Sequence, residues 1–371
     1  MSIGPDAETT MKIGEPALLS RADPSASQFR RQVLAGFAVY LTAAAAAWWA
    51  ILNLAPDHIT VKAFGHAYAA SDIRHRLLTR GLELAVIIPG VFIIDLALAG
   101  WRDSSLYRLL VLRTPSTMSD LAAFLLWRSR IWNTMILILS LGISLLSGAY
   151  LHNWIKQHAG VSLSLAWMSI PAQCVAFFAI YSFLDYWTHR VDHSRHFWPL
   201  HRFHHAAEDF CVFTAVRVHP AVFTSVIITT IPAGLLQVSP AALIDVNLFV
   251  MALRFVIHSR INSNFGWVGR YLLQSPVHHR LHHILDMTQP VGHFSLVPLW
   301  DRMFGTWRGE ADQSLVIGVD TPYQHGAWLA PDLFRDYFDF WKGLWPFRSR
   351  PAAVLEHFQA KWIPVRVKKM R

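Results

Sequence analysis

Three short stretches of the chain carry histidines at spacings that bring their imidazoles to one face of a helix. His189 and His193 stand four apart in D-Y-W-T-H-R-V-D-H. His201, His204 and His205 form H-x-x-H-H in W-P-L-H-R-F-H-H, and His279, His282 and His283 repeat that pattern in P-V-H-H-R-L-H-H. Residues three and four apart share a helix face. Of the 20 histidines, 13 fall between His189 and His293. So many imidazoles repel one another when protonated, and burying them neutral without partners leaves ring nitrogens unsatisfied; metal ions answer both problems. The eight histidines of these motifs exceed the three or four ligands of one tetrahedral zinc, so the spacing predicts two metal ions. It does not select the metal, because imidazole suits iron, zinc, copper and nickel. Neither H-E-x-x-H nor the E-x-x-H pair of soluble di-iron bundles occurs.

Two lone histidines extend the set. His258 in F-V-I-H-S-R-I-N and His219 in R-V-H-P each lie beside an apolar run; His258 is a predicted ligand, and His219 either a ligand or a supporting group. His196, His278 and His293 lack a helical partner, and His58, His66, His75, His152, His158, His325 and His357 lie outside the cluster. Ligating imidazoles usually give their second N–H to a carboxylate or carbonyl. Asp185, one turn before His189, is the first candidate for that role, ahead of Asp192, Glu208, Asp209, Asp286 and Asp301.

The elements that must position these groups are helices in a membrane. The 371-residue chain is 53% hydrophobic with a mean hydropathy of +0.31, which predicts one membrane-embedded unit rather than two soluble domains. Runs at 34–54, 81–100, 132–151 and 165–184 are apolar and reach the roughly 17 to 25 residues that span a bilayer. Shorter runs at 221–238 and 241–257, interrupted by Pro232, Gly234 and Pro240, read as a hairpin entering and leaving by one face. The expected fold is an all-α, polytopic helical membrane protein. Its expected order is a disordered tail at 1–28, transmembrane helices at 29–184, a histidine-rich catalytic region at 185–307 containing the hairpin (221–257), and a peripheral segment at 308–371 with an aromatic amphipathic helix near 332–345. Arg30 and Arg31 before the first run place the N-terminus in the cytoplasm; four spans then return the chain there at Asp185, so the histidines fall in a cytosolic cap. Lys62, Arg74, Arg76 and Arg80 run against that rule. The net charge of +9 is spread between apolar runs and not gathered in one patch, which excludes nucleic acid and favours a membrane surface, with Lys361, Arg366, Lys368, Lys369 and Arg371 as a basic tail. Cys174 and Cys211 alone exclude a disulfide framework and a cysteine-rich metal site.

The histidine motifs, together with R-V-H-P and W-D-R-M-F-G-T at 300–306, resemble the fatty acid hydroxylase and sterol desaturase superfamily. Its pattern runs H-x-x-x-H, H-x-x-H-H, a lone histidine or two, and a final H-x-x-H-H. The resemblance covers residues 182–307 and is specific in combination. It implies a non-haem di-iron centre in the cytosolic cap: two Fe ions, with zinc an alternative occupant of a purified sample, held by His189, His193, His201, His204, His205, His258, His279, His282 and His283. It further implies O2 as co-substrate and the hydroxylation of a lipid acyl, alkyl or sterol C–H bond. Desaturation at the same centre is the alternative; a zinc-dependent membrane hydrolase and a metal transporter are the readings from other classes. No dinucleotide fingerprint occurs, so electrons are expected from a separate ferredoxin, cytochrome b5 or reductase. The chain departs from the family twice. Gly292, His293 and Phe294 stand where N-Y-G is frequent. His258 and Asn262 stand where some members have H-x-x-x-H, with His219 the candidate replacement ligand.

Overall fold

The computed structural model describes residues 24–63, 66–71, 73–139, 145–222, 226–285, 292–309 and 316–344. The tail before Pro24, Asp286, His357 and the basic group from Lys361 to Arg371 lie outside the described residues. The chain opens with α1 (Pro24–Leu54), which begins inside the stretch expected as a tail. A hairpin of β1 (Ile59–Ala63) and β2 (His66–Ala70), paired from Ile59 opposite Ala70 to Ala63 opposite His66, follows. With one bridge between Ile284 and Ile317, it is the only departure from helix and loop among the described residues. Then come α2 (Ile73–Gly81), a π-helical stretch at Leu82–Ile87 and α3 (Ile88–Ala99). A short α4 (Ser105–Tyr107) runs into a second π-helical stretch (Arg108–Leu112) and meets α5 (Pro115–Arg128) at a bend of 107°. The rest is α6 (Ile131–Leu139), α7 (Leu145–Ala159), α8 (Ile170–Asp192), α9 (Trp198–His205), α10 (Ile231–Leu235), α11 (Pro240–Ile257), α12 (Gly266–Tyr271), α13 (Pro276–His282), α14 (Pro298–Met303) and α15 (Ala330–Leu344).

Among the described residues, two helices are long and apolar enough to cross a membrane, Arg30–Leu54 and Pro240–Ile257, or three if the bent pair Ser105–Leu112 and Pro115–Arg128 counts as one. The run expected at 81–100 forms a shorter apolar helix, Ala85–Ala99, and that at 221–238 forms Val226–Leu235. The last run, expected as half of a hairpin, is an 18-residue helix long enough alone. Pro240 does not interrupt it, because it occupies the first turn, where no backbone N–H is needed.

Local chemistry sets where the ligand-bearing helices begin. Ser239 Oγ accepts the Ala242 N–H at 3.3 Å, and Ser275 Oγ accepts the His278 N–H at 3.2 Å, each just before a proline. Helices started there end at His258 and His283, their C-terminal caps. Packing brings those ends together. Phe92, Phe213 and Phe255 share one buried cluster, so α3 and α11 meet; Phe177, Val250 and Ile257 share another, so α8 and α11 meet. Phe340 of α15 packs with Leu200 of α9, while Arg202 binds Asp336 at 2.7 Å and Asp339 at 2.5 Å.

Candidate metal centre

Nine histidines converge from α8, α9, α11 and α13 into two groups, in each of which the ligand atoms all lie within 4.8 Å of one another. The first group holds His189, His193, His201, His205 and His282; the second holds His204, His258, His279 and His283. In the first, Nε2 of His189 lies 3.1 Å from that of His201 and 3.0 Å from that of His282. His193 Nε2 is 3.2 Å from His282 Nε2, and His205 Nε2 is 3.1 Å from His201 Nε2. In the second, His258 Nε2 lies 2.9 Å from His279 Nε2 and 3.3 Å from His204 Nε2, and His283 Nε2 lies 3.2 Å from His279 Nε2. The groups adjoin: the rings of His205 and His283 stack at 4.1 Å.

Four of these rings present a lone pair, not a proton, at Nε2. His189 Nδ1 donates to the Phe294 carbonyl at 2.6 Å and His282 Nδ1 to that of Gly292 at 2.8 Å. His258 Nδ1 donates to the Arg254 carbonyl at 2.7 Å and His204 Nδ1 to that of Arg217 at 3.2 Å. A neutral imidazole carries one N–H, so each of these four rings is fixed with an unprotonated Nε2 aimed inward. Burial holds the imidazoles of His201, His204, His205, His279, His282 and His283 well below the ordinary histidine range, reinforced by neighbouring histidines, and that of His258 down to about 3. Lone pairs facing lone pairs at these separations repel unless a cation lies between them. Ligands about 2.1 Å from one ion and at right angles stand about 3.0 Å apart, which matches the Nε2 spacings. The residues therefore fit two imidazole-bound metal ions.

His219 stands apart from both groups. Its Nε2 donates to the Leu333 carbonyl at 3.0 Å and its Nδ1 accepts the Ala221 N–H at 3.1 Å, so both nitrogens are engaged. Asn262 is exposed, because α11 ends at Ile257 and the next residues no longer follow a helix face. Asp185 binds Arg254 at 2.7 Å, and the second N–H of His189 goes to a backbone carbonyl. Glu208 lies beside His325, and Asp209 binds Arg108 and Arg260. His278 and His293 stack on one another outside both groups, their ring centroids 5.3 Å apart.

Two further residues support the centre; nothing in the sequence marked the first, and the second ranked there behind Asp185. Arg217 is fully buried, binds the equally buried Asp120 at 3.1 Å and donates to the Phe203 carbonyl at 2.9 Å, which locks the segment whose carbonyl holds His204. R-V-H-P thus bears on the centre through its arginine, although its histidine drew notice. The second is Asp301, whose carboxyl burial pushes up to about 6. It accepts the backbone N–H groups of Phe294 and Ser295 at 2.9 and 3.0 Å.

A cavity beside the first and second groups is lined by Asp185, Asp192 and Arg254 together with Val218, Val222 and Ile257. Helices that end on two adjoining histidine groups, each able to hold a metal ion, beside a cavity with a partly apolar lining make this a candidate metal centre. Residues 174–306 match the family described as fatty acid hydroxylase. The alkylglycerol monooxygenase of Danio rerio is 29% identical over 205 residues, covering 53% of this chain and 43% of the relative. That of Homo sapiens is 29% identical over 190 residues, covering 49% and 40%. That of Xenopus tropicalis is 29% identical over 161 residues, covering 41% and 34%. The chain thus matches less than half the length of these curated relatives. No solved structure matches. The histidine pattern, the family match over residues 174–306 and these relatives make this region of the chain similar to the fatty acid hydroxylase family.

Proposed function

We propose that this chain is a multi-pass membrane oxygenase that hydroxylates a lipid C–H bond with O2 at a di-iron centre, the histidines facing the cytoplasm. The observation that carries the reading is the inward convergence of nine imidazoles in adjoining groups of five and four. A pair of iron ions bound there would supply O2 activation and hydrogen removal from an unactivated carbon. The chain's own residues supply the rest. Val218, Val222, Ile257 and Leu296 give the cavity beside the centre an apolar wall against which a hydrocarbon can lie with water excluded. Asp185, Thr188 and Asp192 contribute polar groups to the same lining.

A second, larger cavity of about 630 Å³ lies between α5, α6 and α15, lined by Leu121, Leu125, Met135, Trp328 and Phe334 among others. Segment 218–222 forms a wall of both cavities: Val218 and Val222 line the first, His219 and Pro220 the second. Its apolar lining and size suit the alkyl or acyl chain of the substrate. Exposed Leu125, Ile131, Trp328 and Phe334 give it an apolar rim continuous with a bilayer. A glycerol ether lipid is the substrate class to test first, because the matched relatives are named for alkylglycerol. Electrons come from a separate carrier protein of the ferredoxin, cytochrome b5 or reductase type.

The test is to purify the chain, measure iron and O2 uptake, and compare lipid extracts of cells with and without it. Two irons per chain, O2 consumption with an added electron donor and a hydroxylated lipid are expected. No iron together with unchanged lipid oxidation would sink the reading. An alkene product in place of an alcohol would transfer it to the desaturase branch.

A further inference from the structure

The motif W-D-R-M-F-G-T is not used by the metal ligation or by either cavity, yet it is bonded to the loop that holds two of the first group's histidines. We infer that Asp301 is a positioning residue for that metal position alone; the inference rests on the two-metal reading above. Gly292 and Phe294 offer the carbonyls that take the Nδ1–H of His282 and His189. The loop carrying those carbonyls is pinned from behind. Asp301 Oδ1 accepts the Phe294 N–H at 2.9 Å and the Thr306 hydroxyl at 2.7 Å, while Oδ2 accepts the Ser295 N–H at 3.0 Å. The Thr306 N–H donates to the Asp301 carbonyl at 2.7 Å, and the Thr306 carbonyl accepts the His293 N–H at 3.2 Å. Gln274 Nε2 donates to the His293 carbonyl at 2.7 Å. Every residue from Gly292 to Ser295 is thereby tied, directly or through a neighbour, to one buried carboxylate.

The close approach explains the residue at the loop's start. A Cβ on Gly292 would lie 2.2 Å from the Thr306 carbonyl oxygen, a contact that backbone cannot relieve without moving the carbonyl that holds His282. It also gives the inference its selectivity. His189 and His282 both belong to the group of five, whereas in the group of four His204 and His258 are held by the carbonyls of Arg217 and Arg254, which Asp301 does not touch. Loss of the Asp301 carboxylate lets two rings of one group turn, exposing Nδ1 or Nε2 to the metal indifferently, and leaves the other group in place. Outer partners of metal ligands typically carry roughly 10- to 100-fold in metal affinity.

The experiment compares iron content and its timed release to a chelator in the full-length wild-type chain and in Asp301→Asn, which keeps the shape but turns one acceptor into a donor facing an N–H. Wild type should hold two irons and Asp301→Asn one. Adding His279→Ala to Asp301→Asn should remove the remaining iron, and adding His193→Ala should not. Two irons released at wild-type rates in Asp301→Asn, or a remaining iron that depends on His193, would overturn the inference. Should Asp301→Asn fail to fold, Thr306→Val removes one donor to the carboxylate; one of its two irons should leave roughly tenfold faster, and equal wild-type rates for both would overturn the inference in that variant. A wild-type chain holding fewer than two irons counts against the two-metal reading instead, since the Asp301 comparison then has no second site to spare.

Discussion

At the scale of single residues, the centre depends on which nitrogen of each ring carries the proton. The chain settles this with backbone carbonyls, at Phe294, Gly292, Arg254 and Arg217, in preference to carboxylates. A carbonyl accepts without adding negative charge, so the imidazole stays neutral beside a cation. His282→Ala should therefore lose the metal of the first group and His204→Ala that of the second, each with lipid oxidation at background, as measured by iron content and product analysis. His219→Ala should behave differently. Its ring joins Ala221 to Leu333, so the variant should retain both irons and show a lowered Tm; loss of iron from it would restore His219 as a ligand.

At the scale of elements, helices meet the site through a few contacts that tolerate little change. Gly148 lets α7 approach α10, since a Cβ there would lie 2.2 Å from the Ile231 carbonyl oxygen. Gly148→Ala should destabilise by about 1–3 kcal/mol through overpacking, read as a drop in Tm in detergent with iron content kept. The Arg217 and Asp120 pair joins α5 to the loop after α9 with both side chains fully buried. Arg217→Leu strands the carboxylate without its cation and should cost about 3–5 kcal/mol, with the second-group metal held more weakly because the carbonyl facing His204 shifts. Helices start where serine or threonine precedes proline at Thr114, Ser239 and Ser275, but not at Thr321. Pro115 marks the break before it, but the 107° angle of the bend is not legible in the sequence, because it answers to packing.

At the scale of the whole molecule, α15 turns one face inward, with Asp336 and Phe340 on α9, and leaves Phe334, Phe338 and Trp341 exposed. Exposed aromatics on a helix beside an apolar cavity suit the edge of a bilayer. Enlarging Ala122, which lines that cavity, to tryptophan should raise KM for long-chain substrates several-fold while iron content is unchanged; equal KM values across chain lengths would detach the cavity from substrate binding. Removing both irons with a chelator should lower Tm and iron should restore it, because metal that binds only the folded chain adds its binding free energy to folding.

The sequence by itself determined which residues could cluster: three histidine motifs at helical spacing name eight of the nine converging imidazoles, and a lone residue at the end of an apolar run, His258, names the ninth. Spacing of three and four is enough for that, since a helix converts it directly into a shared face. Only the tertiary structure decided which histidines stand in one group, because His282 crosses to the group of His189 and His193 while its neighbour His283 joins His204, a division that depends on the approach of separate helices. It also decided against the nearest carboxylate. Asp185 stands one turn from His189 in sequence, but Arg254 claims it, and the partners that orient His189 and His282 arrive from a loop more than a hundred and about ten residues away.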